Sequence, residues 1–94
     1  MALESRKVTC SDTVAQRIVG ADNMPHRAVL HNATKSSNEY SYIGGSSAVA
    51  NTTHGMHIDP GQTIYVDLAP NDEIWATSDP DGLEVQVLDM RRND

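Results

Sequence analysis

The chain has 94 residues, with 7 Lys+Arg against 13 Asp+Glu and a net charge of −6. That length fits one domain, and the acidic balance argues against nucleic-acid binding, which needs a basic footprint. No apolar run approaches the ~18–20 residues of a membrane span, and the opening MALESRKVTC lacks the apolar stretch of a signal peptide, so neither a membrane nor export is expected.

With 38% apolar residues, no Phe and four aromatic side chains, the core must be thin. In a domain this small the gain from burial and the cost of ordering the chain nearly cancel, so a partner surface would add stability. The lone Cys10 cannot form an internal disulfide and fits synthesis in a reducing cytosol. With no motif around it, a buried, inert thiol is expected rather than a nucleophile.

In chain order, residues 5–10 read as an edge strand. Residues 12–19 suit either a strand or a short helix capped by Ser11 or Asp12 and stopped by Gly20. Residues 20–26 form a loop. Strands at 27–32 and 39–43 flank the polar turn Ala33–Asn38. Gly44-Gly45-Ser46-Ser47 is a loop leading to a weak strand at Ala48–Ala50.

Three proline turns then divide the second half. Asp59-Pro60-Gly61-Gln62 meets the demands of a type II turn and Ala69-Pro70-Asn71-Asp72 those of a type I turn. Asp79-Pro80-Asp81-Gly82 reads as a type I turn followed by a left-handed glycine. Strands are predicted at 56–58, 62–68, 73–78 and 83–90.

Alternation points Met56, Ile58, Ile64, Val66, Leu68, Ile74, Ala76, Leu83, Val85 and Val87 into the core. Pairing each of these strands with the next sets Val66 beside Ala76 and Ala76 beside Val85. Tyr65, Trp75, Leu88 and Met90, of the opposite parity, then gather in a second apolar cluster. Either the chain's own N-terminal segment or another chain covers it. The resulting expectation is an all-β domain: a small antiparallel β-sandwich or barrel, jelly-roll-like, of seven to eight short strands. An extended N-terminal arm or edge strand over residues 1–25 would serve attachment, with the sandwich over residues 26–94.

Charge is unevenly spread. Residues 1–38 carry Arg6, Lys7, Arg17, Arg27 and Lys35 against Glu4, Asp12 and Asp22, a net of +2. Residues 39–90 carry nine acids and no Lys or Arg, and the tail from Arg91 adds +1. Two differently charged faces are expected.

Motifs for chemistry are weak. His54 and His57 lie three apart, which on a strand sends them to opposite faces, and no further ligand stands at metal-site spacing near Asp59. Gly44-Gly45-Ser46-Ser47 matches neither a nucleophile elbow nor a phosphate loop. Asp79-Pro80-Asp81-Gly82 lacks the later acids of a calcium loop. The sequons at Asn32 and Asn51 are discounted without a signal peptide. No catalytic residue, cofactor or metal is therefore assigned.

Arg27 to Met90, roughly two-thirds of the chain, carries a distinctive run. RAVLHNAT is followed by EYSYIGGSSAVANTTHGMHIDPGQTIYVDLAPNDEIWA and closed by DGLEVQVLDM. The succession Val-Leu-x-Asn, Tyr-x-Gly-Gly-Ser, Pro-Gly-Gln, Leu-x-Pro-x-Asp-x-Ile-Trp-Ala resembles the head decoration (cement) and minor structural proteins of tailed bacteriophages. The chain departs at Asn71, where that family often has Gly, and in its basic N-terminal stretch, to which the resemblance does not extend.

The resemblance implies a non-catalytic virion protein, made in the host cytoplasm and bound to the capsid exterior. Its partners would be the major capsid protein and itself, as trimers or dimers at local symmetry axes. On that reading Arg6, Lys7 and Arg17 contact acidic capsid patches, and Tyr65, Trp75, Leu88 and Met90 form the subunit or capsid interface. The alternative is a jelly-roll glycan- or receptor-binding module of a phage tail or fibre, with Tyr40, Tyr42, Tyr65 and Trp75 stacking on sugars.

Overall fold

A computed structural model describes residues 2–47 and 55–91. It is an all-β domain of eight short antiparallel strands in two four-stranded, sandwich-like sheets. The strands are β1 (Ala2–Thr9), β2 (Gln16–Val19), β3 (His26–Asn32), β4 (Tyr40–Gly44), β5 (Met56–Ile58), β6 (Thr63–Leu68), β7 (Ile74–Asp79) and β8 (Glu84–Arg91). The predicted strand at 48–50 lies outside the described residues, as do His54 and Asn51. Residues 12–19 resolve as a strand at Gln16–Val19, with a bulge between Arg17 and Val19 that buries both Ile18 and Val19.

One sheet runs β1-β8-β3-β6 and the other β2-β7-β4-β5. Apart from β4 and β5, every strand is followed by one in the opposite sheet. This corrects the expected pairing of sequence neighbours. β6 pairs with β3, whereas β7 pairs with β4 and β2, so Val66 is not beside Ala76 and Ala76 is not beside Val85. Proline turns of four or five residues serve a crossover between sheets as well as a hairpin within one.

The N-terminal stretch is not an extended arm. β1 pairs with β8 along its whole length as an edge strand, and β2 pairs with β7, so residues 2–19 contribute to both sheets. Thin cores have little apolar surface to spare, and the Cys10, Ile18 and Val19 side chains complete this one.

The inward parity fills the space between the sheets with Ala28, Leu30, Ile43, Ile58, Leu68, Ile74, Ala76, Val85 and Val87. Ile64 and Val66 are only half-buried because β6 is a sheet edge, and Met56 is exposed on edge strand β5.

The turn at Asp59 closes as expected, with Gly61 at φ 75° and the Gln62 amide donating to the Asp59 carbonyl at 2.9 Å. The Ala69 turn differs from expectation. Asn71 takes φ 70°, the left-handed third position of a type II turn rather than type I, which asparagine tolerates better than most residues. Gly82 is left-handed as expected, at φ 89°, after a cis Asp79–Pro80 bond.

Among the described residues six polar side chains are buried: His26, Asn32, Ser41, Thr77, Ser78 and Asp89. Asn32, fully buried, donates from Nδ2 to the carbonyls of Glu39 and Ile58 at 3.0 Å each. A buried amide so engaged is no glycosylation acceptor. His26 and Asp89 meet at 2.8 Å with both side chains fully buried.

Candidate functional site

The sandwich presents two outer faces of different chemistry. On the β1-β8-β3-β6 face, register aligns Ser5, Leu88, Val29 and Tyr65 in one row. On one side of it lies the row Lys7, Gln86, His31 and Thr63; on the other, Met90, Arg27 and Asp67. A groove of about 440 Å³ crosses this face over Val29 and Leu88, with Lys7 and His31 at its rim. Tyr65 is 70% exposed.

Charge on this face is balanced. Arg27 Nε donates to Asp67 at 2.7 Å, and this hydrogen bond, with the guanidinium charge, holds the Asp67 carboxyl below its ordinary range. Lys7 stands 4.0 Å from Glu84.

The β2-β7-β4-β5 face carries Trp75 in register with Arg17 and Gly44, and Tyr42 in register with Thr77 and His57; Tyr40 pairs with Asp79. The Trp75 indole N–H donates to Glu73 at 3.2 Å, and Arg17 donates to the same carboxylate at 3.2 Å. The indole and then the guanidinium keep Glu73 ionised to lower pH than usual. The His57 ring lies 5.4 Å from that of Tyr40 and 6.3 Å from that of Tyr42, with Nε2 3.2 Å from Asp59.

These placements divide the expected sites. Tyr65, Leu88 and Met90 share one face, but Trp75 lies on the other, because β6 and β7 belong to different sheets. The three cations separate as well. Lys7 is exposed beside the Leu88 row, Arg17 lies beside Trp75, and Arg6 is half-buried. Arg6 has the inward parity of Val8 and donates to the Ile18 carbonyl, so it ties β1 to β2 across the sandwich. The sequence reading missed Val29, whose signal was the outward parity between buried Ala28 and Leu30.

A second cleft, about 500 Å³, opens between the sheets beside Val66, Leu68, Ile43 and Ile74, with Asp67, Asp72 and Glu73 among its lining. Among the described residues no three His, Cys, Asp or Glu side chains gather as a metal site. The Asp81 carboxylate accepts from the Asp12 amide at 3.0 Å, tying the loop before β2 to the β7–β8 turn.

Cys10 is 1% exposed, and burial pushes its thiol up to about 11. At pH 8 the folded thiol should react with a maleimide or an aromatic disulfide at least about a hundredfold more slowly than in denaturant, because the reactive species is an accessible thiolate. Stability should be unaffected by this group below about pH 9 and fall as the pH rises toward 11, since the unfolded thiol ionises first. Equal thiol rates in buffer and denaturant would contradict the burial.

No protein-family model matches the chain, and no curated protein or solved structure does so either.

Proposed function

We propose that the chain is an eight-stranded jelly roll that acts as a non-catalytic structural protein of a tailed-phage virion. It binds the outer surface of the capsid and stabilises the shell. The fold assignment draws on the order β1-β8-β3-β6 facing β2-β7-β4-β5, the wrapped succession of two interleaved Greek keys. The phage assignment draws on the Val-Leu-x-Asn, Pro-Gly-Gln and Pro-x-Asp-x-Ile-Trp pattern of residues 27–90.

One observation carries the docking role: a charge-balanced face with Tyr65, Val29 and Leu88 in one row, Met90 in the row beside it, and a groove over Val29 and Leu88. Apolar side chains in register on a solvent face suit a protein partner, either the shell or a second copy. Many copies on one shell add avidity to a weak single contact. Lys7 is the expected basic residue that borders this face; Arg6 and Arg17 serve the fold and the opposite face. The glycan- or receptor-binding reading is favoured by a different observation, the gathering of Tyr40, Tyr42 and Trp75 on the β2-β7-β4-β5 face.

Co-sedimentation with expanded capsid shells assembled without the protein tests the first reading. The wild-type chain should pellet with the shells. Leu88→Asp should weaken binding about thirtyfold, as a charge worth ~2 kcal/mol is desolvated at the contact. Tyr65→Ala should weaken it by a smaller factor with its melting temperature unchanged. Absence of wild-type binding, or full-strength binding by both variants, would overturn the reading.

A further inference from the structure

We infer that the outer face of β2-β7-β4-β5 docks an extended segment of a partner protein bearing Lys or Arg at alternate positions. This surface lies opposite the proposed shell-binding face and goes beyond that reading.

The argument starts from spacing. Trp75 beside Gly44, Tyr42 beside Thr77, and Tyr40 beside Asp79 form three successive rows, each two residues along β4 and β7. Successive rows are therefore about 6.6–6.8 Å apart, the repeat of alternate side chains in an extended peptide. Each row offers an aromatic ring, and ring faces attract cations.

The carboxylates follow the rings. Glu73 lies at the Trp75 indole, Asp59 at His57 beside Tyr42, and Asp79 opposite Tyr40. Among the described residues Arg17 is the cation paired on this face against these three acids, whereas the opposite face balances Lys7 and Arg27 against Asp67 and Glu84.

The chain already uses this chemistry on itself. Arg17 reaches Glu73 beside the indole at 3.2 Å, and His57 lies between two tyrosine rings while contacting Asp59 at 3.2 Å. The Asp79 carboxylate, exposed beside Tyr40, has no ion-pair partner among the described residues. A neutral sugar would draw on the rings and on hydrogen bonds to the carboxylates but would gain nothing from the net negative charge. A basic strand gains from all three.

Trp75 is the one tryptophan of the chain and lies in the first row, so its emission reports occupancy. The intact protein is titrated with a peptide of alternating Arg and Thr, with a Glu–Thr peptide of the same length, and with a neutral linear oligosaccharide. The Arg–Thr peptide should give a saturable change that weakens as salt rises from about 0.05 to about 0.3 M. Asp79→Asn and Tyr40→Leu should each weaken it about three- to fivefold, with circular dichroism melts confirming the fold. Arg17→Gln should tighten binding by freeing Glu73, and Lys7→Gln, on the far face, should leave it unchanged. Unchanged affinity in both Asp79→Asn and Tyr40→Leu would overturn the proposal. So would an equal response to the Glu–Thr peptide, or a response to the oligosaccharide alone, which would mark a glycan surface.

Discussion

Asn32→Asp should lower the unfolding free energy by about 4 kcal/mol, more than Asn32→Ala does, although aspartate keeps the size and shape of the side chain. The reason is donor chemistry. The Asn32 amide nitrogen donates to Glu39 and Ile58 carbonyls at 3.0 Å each, while its oxygen accepts from the Thr34 amide at 3.3 Å. Its own backbone N–H donates to the Gln62 carbonyl at 3.1 Å and its carbonyl accepts from Gly61 at 2.9 Å. One residue at the end of β3 therefore fixes the start of β4, the end of β5 and the turn into β6. A carboxylate in place of the amide sets negative oxygen against two carbonyls. The alanine variant leaves those carbonyls unpaired without adding repulsion. At ~4–8 °C per kcal/mol for a domain of this size, the aspartate variant should melt about 15–30 °C lower. Its deficit should narrow as the pH falls through the carboxylate range, because the protonated acid donates once. Asn32→Ala losing more than Asn32→Asp would show that packing, not donation, governs the site.

The second large effect lies at the other end of β3. His26→Leu should cost about 3 kcal/mol, because it removes the imidazole that hydrogen-bonds the buried Asp89 side chain at 2.8 Å. Asp89→Asn keeps a side chain of the same shape that offers His26 Nδ1 either an acceptor or a donor, and it should cost about 1 kcal/mol. The double replacement His26→Leu with Asp89→Leu removes both members of the pair, and it should cost less than the two single losses summed. Chemical denaturation of His26→Leu, Asp89→Leu and the double forms the cycle, and additive losses would contradict the pairing.

Much of the strand pattern is legible because period-two alternation and proline–glycine turns are local signals. The expected strands between residues 56 and 90 form within a residue of their predicted ends, and Ile74, Ala76, Val85 and Val87 are buried as their parity requires. Alternation assigns side chains to the inside or outside but does not say which strand is the neighbour. That one ambiguity moved Trp75 to the face opposite Tyr65 and dissolved the expected four-residue cluster. Arg6 was readable in part, since it shares the parity of Val8 within the expected edge strand 5–10, but nothing local shows that its guanidinium reaches the Ile18 carbonyl of β2. Asp89 continues the Val85 and Val87 parity into the core, an acid where an apolar residue belongs. Its partner His26 lies 63 positions away and follows Pro25, so nothing local marks it. Within the charge pattern, the sequence split of +2 and −9 does not map onto one basic and one acidic face. β1 and β3 interleave with β6 and β8 in one sheet, which neutralises that face and leaves the acids in excess on the other.

Electron microscopy of expanded shells carrying the bound protein tests the central claim most directly. The β1-β8-β3-β6 face should be covered, with Tyr65, Val29 and Leu88 buried against the shell or a neighbouring copy. Lys7 should lie at the edge of the contact, and the Tyr40, Tyr42 and Trp75 face should look away from the shell. A bound chain whose Leu88 row stands open to solvent, or shells that carry no density for the protein, would contradict it.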